Sequence, residues 1–150
     1  MNVYHNFAVP EGCVYAVESK GFIMIIHAPT LKRKEEATAE NIAEIVRLLK
    51  GKDKPFAILR KTNMTFIQTL WTPEGYILAY QENDVHHIYR AREFLSQADA
   101  IWALRSYLKG EKRWKSKFDF EHKTIDNPLV KISYKLGTIA GKIIQFIRGK

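Results

Sequence analysis

The runs PFAILRK (55–61), TFIQTLW (65–71), YILAYQ (76–81) and VHHIYRA (85–91) decide how this chain folds. Each is rich in β-branched and aromatic residues. The gaps between them hold turn formers: Thr62, Asn63 and Met64, then Pro73, Glu74 and Gly75, then Glu82, Asn83 and Asp84. Strands joined this tightly pair with their neighbours in the chain, so the segment predicts a meander of four antiparallel strands.

Toward the N-terminus, CVYAVES (13–19) and FIMIIH (22–27) read as two further β runs joined at Lys20 and Gly21, a hairpin that Pro29 closes. The charged stretch from Lys32 to Glu36 reads as a solvated loop or a frayed first helical turn. Ile42, Ile45, Val46 and Leu49 then fall at the spacing of one helix face, with Thr38 as N-cap and Gly51 as stop.

Beyond the meander, Ser96 and Asp99 resemble a capping box with aspartate in place of glutamate. Ala98, Ile101, Trp102, Leu104, Arg105 and Leu108 continue a largely apolar helix face up to Gly110. After it, Trp114, Phe118 and Phe120 share one face at a two-residue period, which predicts an edge strand with Lys112, Arg113, Lys115 and Lys117 turned mainly to water.

From Pro128 the pattern changes. Leu129, Ile132, Leu136, Ile139, Ala140, Ile143, Ile144, Phe146 and Ile147 gather on one side of a helical wheel, and Lys131, Lys135, Thr138, Lys142 and Gln145 on the other. The expected architecture is therefore α+β: an antiparallel sheet, made of the N-terminal hairpin and the meander, packed by two helices. Residues 1–125 form that single domain and 126–150 a basic amphipathic C-terminal helix.

Composition narrows the class. Hydrophobic residues at 46% and charged residues at 27% match a globular chain rather than a disordered one. Cys13 is the only cysteine, so an internal disulfide is excluded and a reducing, cytoplasmic setting is expected. The opening residues lack the basic and apolar regions of a secretory signal. The net charge of +8 favours acidic partners, and five cations against Asp126 put half of that surplus in the C-terminal tail.

No constellation of residues points to catalysis, and neither metal nor cofactor is expected. The histidines are scattered, apart from His86 and His87, which successive strand positions would turn to opposite faces. The glycines stand singly rather than in a phosphate-cradling loop. Glu74, Glu82 and Asp84 lie near turns, where carboxylates are common for conformational reasons.

The candidate partner-binding residues are Trp71, Tyr80, Glu82, Asp84, His86 and Tyr89, aromatic side chains with charged neighbours of the kind that anchor protein interfaces. For the tail, three readings compete: docking on its own sheet, pairing with a second copy, or lying on an anionic membrane at its inner face. In the last two, Lys131, Leu136, Ile139, Lys142, Ile143 and Phe146 make the contact. The run KRWKSKF (112–118) interleaves basic and aromatic residues as single-strand binders do, although lysines also guard exposed sheet edges; a nucleic-acid partner ranks behind a protein one.

A family resemblance joins several of these stretches: Phe66, Ile67 and Gln68; residues 75–80; residues 86–91; Ala100, Ile101 and Trp102; residues 107–110; and Trp114 with Phe118. Over residues 38–120 they resemble the deaminase-immunity family of polymorphic toxin systems. Relatives carry an acidic-glycine turn where this chain has Glu82, Asn83, Asp84 and Val85, and the N-terminal hairpin and basic tail lie outside the pattern. The resemblance implies a single-domain protein that neutralises a toxin by occluding its active site. The alternative is a membrane-associated or self-associating accessory protein acting through its tail.

Overall fold

The computed structural model describes residues 23–53 and 55–123. Within them the meander forms as the turn residues dictate: β3 (Phe56–Arg60), β4 (Phe66–Thr72), β5 (Gly75–Gln81) and β6 (Ile88–Ala91) pair antiparallel in chain order. Two short strands, β1 (Ile25–Ala28) and β2 (Arg33–Glu36), extend one side and β7 (Phe120–Lys123) the other, completing a seven-stranded sheet ordered β2-β1-β3-β4-β5-β6-β7.

Because side chains alternate along a strand, the register sorts them onto two faces. Ile26, Leu59, Ile67, Tyr80, Tyr89 and His122 lie opposite one another in a single row across the sheet. That near face is covered by α1 (Ala39–Leu48), α2 (Gln97–Leu108) and the single-turn α3 (Arg113–Lys117). Ile42, Ile45 and Val46 of α1 and Ala100, Ala103 and Leu104 of α2 are buried against Leu59, Ile67 and Leu78. Each such large aliphatic side chain contributes roughly 1.5–3 kcal/mol by leaving water. The Tyr76 hydroxyl donates to the Val46 carbonyl at 3.0 Å, and Arg105 Nε donates to that of Ala39 at 2.8 Å, so polar contacts tie α1 to the sheet and to α2.

Thr38 caps α1 as expected, and the motif is reciprocal. Its hydroxyl accepts from the Asn41 amide at 3.1 Å, while the Asn41 side chain accepts from the Thr38 amide at 2.8 Å. Thr38→Ala is expected to cost about 1 kcal/mol, read as a lower urea midpoint with an unchanged denaturant slope.

Two expectations are overturned. Lys32 to Glu36 is neither loop nor helix: a 3-10 turn at Pro29–Leu31 and a left-handed Lys32, φ 53°, fold the chain back so that Arg33–Glu36 pairs with β1. The expected hairpin partner of this strand, CVYAVES (13–19), lies outside the described residues. The second correction concerns Trp114 and Phe118. Gly110, φ 73°, ends α2, and the following turn of helix drives Trp114 into the core at 2% exposure. The last strand starts only at Phe120.

The far face of the sheet carries a second apolar patch, made by Ile58, Phe66, Leu70, Ile77, Ala79 and Ile88. Each is at most 6% exposed, with Gln68 and Gln81 buried among them, whereas α1, α2 and α3 pack on the other side. At the rim of this face stands His27. Burial, then the nearby charges of Arg60 and Lys34, lower its pKa below the ordinary 6.5. The unfolded chain therefore binds the proton first, and folding stability is expected to fall as pH drops from 6.5 toward the depressed folded value. His27→Gln should flatten that part of a stability-against-pH curve and leave the acid limb below about pH 4.5, set by carboxylates, in place.

Candidate functional site

The near-face row brings Tyr80 of β5 and Tyr89 of β6 side by side, their rings stacked at 4.8 Å and 16°. Trp114 and Phe120 meet Tyr80 edge-on at 4.8 and 4.9 Å, and Tyr107 closes on Trp114 at 5.8 Å. Edge-to-face contact suits aromatic quadrupoles, so these rings hold one another in fixed orientations. Burial, reinforced by the negative charge of Glu82, pushes the Tyr80 and Tyr107 hydroxyls up to about 12. Neither phenol is a proton donor of use near neutrality.

Lys115 of α3 covers this cluster. Its ammonium pairs with the Glu82 carboxylate and lies 5.1 Å from the Tyr80 ring centre. Lys117 does the same one step along, bonding Asp99 at 2.7 Å above the Trp102 ring. Its hydrogen bond is the main reason the Asp99 carboxyl stays below its usual range.

Next to the aromatic cluster, the loop from Glu82 to His87 is a built turn. Asn83 adopts the left-handed conformation, φ 64°, which asparagine tolerates better than most residues. The Asp84 carboxylate accepts from the His86 amide at 2.7 Å and meets His87 Nδ1 at 2.8 Å. The His86 amide and the His87 ring hold the Asp84 carboxyl below its ordinary pKa. The imidazoles of His86 and His87 are exposed, and both precede β6 rather than lying in it, so the expected division of the pair between two faces does not apply. His122 of β7 donates through Nε2 to the His86 carbonyl, joining the edge strand to the turn, and its ring tilts against Tyr89 at 5.3 Å.

Of the six partner-binding residues expected from the sequence, the structure gathers five here: Tyr80, Glu82, Asp84, His86 and Tyr89. Trp71 stands apart, toward the opposite end of β4, where it lines an open groove of about 390 Å³ with Pro73, Glu74, Tyr76, Phe94 and Gln97. Sequence reasoning missed Lys115 and His122, which complete the cluster from α3 and β7. The spacing of Trp114 from Phe120 is the signal that mattered, and it fits a helical turn followed by a strand only once the burial of Trp114 is known.

The contacts expected in the tail, at Lys131, Leu136, Ile139, Lys142, Ile143 and Phe146, lie outside the described residues. Among those described, no three His, Cys, Asp or Glu side chains are grouped to hold a metal, and no helix is long and apolar enough to cross a membrane. In comparisons with known proteins, no family model, curated protein or solved structure matches the chain.

Proposed function

We propose that this chain is a non-catalytic protein-binding module of immunity type, which occludes a partner toxin with the β5–β6 end of its sheet. One observation carries the reading: exposed imidazoles and a half-exposed carboxylate stand on a base of interlocked rings. A rigid aromatic base with polar groups at its margin loses little conformational freedom on binding, which is what a tight stoichiometric inhibitor requires. A cytoplasmic site of action, consistent with Cys13 as the only cysteine, belongs to the same proposal.

The test uses tagged full-length chain and the double variant Asp84→Lys/His86→Glu, whose near-ultraviolet circular dichroism should match the native chain. A protein that co-purifies one-to-one with the native chain, and whose activity the native chain blocks and the variant does not, supports the proposal. Equal capture and equal inhibition by both overturns the assignment to this end of the sheet.

A further inference from the structure

We propose that the groove beside the β4–β5 turn docks an extended, proline-rich segment of a protein partner. The proposal is independent of the function assigned to the β5–β6 end. It starts from aromatic rings left without ring neighbours. Elsewhere on the near face the rings interlock: Trp114 meets Tyr80, Tyr107 and Phe120, and Trp102 packs against Phe118. Trp71 and Phe94, which line the groove, make no ring contact among the described residues, and Phe94 is 48% exposed.

The polar groups of the groove are unpaired as well. Among the described residues, the Trp71 indole N–H and the Lys50 ammonium find no acceptor, and the Glu74 carboxylate finds no donor. Gln97 accepts from the Tyr76 hydroxyl at 3.4 Å through its side-chain oxygen, which leaves its amide hydrogens free. The groove is thus rich in donors, with one carboxylate at its rim.

Those donors select the occupant. A polyproline II segment makes no internal hydrogen bonds, so its carbonyls are free to accept, and each proline lacks the N–H that would need an acceptor in return. Its rings pack on flat aromatic faces, as proline-rich segments do in other aromatic-lined grooves. The charges suit a segment with a basic residue beside Glu74 and an acidic one beside Lys50. A nucleic acid could stack on the same rings, but its phosphates would meet one carboxylate for one lysine, a poor match for a polyanion.

The walls are set before anything binds. Trp71 lies opposite Tyr76 across β4 and β5, and Tyr76 exchanges backbone hydrogen bonds of 2.7 and 2.9 Å with Leu95, fixing the segment that bears Phe94. Gly75 permits the close approach: a Cβ there would lie 3.1 Å from Phe94 Cβ. A preformed groove and a preformed polyproline helix both reduce the ordering cost of association.

The test is fluorescence anisotropy of a labelled oligoproline peptide, flanked by a glutamate and an arginine, titrated with the full chain. Saturable binding is expected, about tenfold tighter than that of a glycine-serine peptide with the same ends. Phe94→Ala should weaken it about 30-fold, and Trp71→Phe, which keeps a ring but removes the N–H, about fivefold. Because Phe94 is half-exposed, its variant should keep the native urea midpoint, so unfolding does not account for the loss. The Asp84→Lys/His86→Glu variant should bind the peptide as the native chain does, whatever becomes of the other site. No saturable binding, equal binding of the glycine-serine peptide, unchanged affinity in Phe94→Ala, or displacement of the oligoproline by oligothymidylate would each overturn the proposal.

Discussion

Replacing Trp114 by alanine is expected to remove about 3–5 kcal/mol of stability, enough to unfold much of a domain of ordinary stability. Trp114 is buried at 2% and touches Tyr80, Tyr107 and Phe120, so its loss leaves a void bordered by three rings. Neighbours locked edge-to-face cannot collapse into that void without giving up their own contacts. The short helix α3 has no other buried residue, so it should also lose its hold on the sheet, and Lys115 its place over Tyr80. Urea unfolding of Trp114→Ala beside Trp114→Phe separates volume from shape: the phenylalanine should recover more than half of the loss. A midpoint for Trp114→Ala within experimental error of the native chain would show that the cluster contributes little.

The second large effect lies at the other end of β5. Gly75 has φ 139°, and a Cβ built there would sit 2.9 Å from the Leu95 carbonyl oxygen and 3.1 Å from Phe94 Cβ. The oxygen belongs to backbone that cannot step aside, because Leu95 and Tyr76 exchange hydrogen bonds of 2.7 and 2.9 Å that pin the entry to α2 against the sheet. Gly75→Ala is therefore expected to cost about 2–3 kcal/mol through strain and a weakened bridge. Gly51 is the control. Its φ is 76° but no atom lies within 4 Å of a Cβ, so Gly51→Ala should show the conformational cost alone, about 1 kcal/mol. Equal midpoints for the two variants would remove the Leu95 contact from the explanation.

The meander and both long helices were legible because each rests on local rules: turn residues at Pro73 and Gly75, a cap at Thr38, apolar spacing in Ile42 to Leu49. Arg33–Glu36 was not legible, since strand formation there is imposed by β1 and an edge strand needs no apolar pattern of its own. At residues 113–120 the two-residue period of the aromatic positions predicts a strand, but one turn of helix precedes the strand and buries Trp114. For the candidate site, aromatic and charged residues on adjacent strands pointed to most of the cluster. What separated Trp71 from Tyr80 was distance along a strand, which residue type does not encode.

The strand order carries a kinetic meaning as well. In β2-β1-β3-β4-β5-β6-β7 every pairing joins strands that are consecutive in the chain apart from β1 with β3, and that exception skips only the short β2 and α1. Contacts of this kind close small loops, so little chain entropy is lost before each new strand is rewarded. The sheet can grow outward from the β4–β5 hairpin, with two long steps of nearly equal length, the β2–α1 excursion between β1 and β3 and the α2–α3 excursion before β7. Those two closures flank the meander, so the β1–β2 pair and the aromatic edge at β7 would join a hairpin core that is already formed.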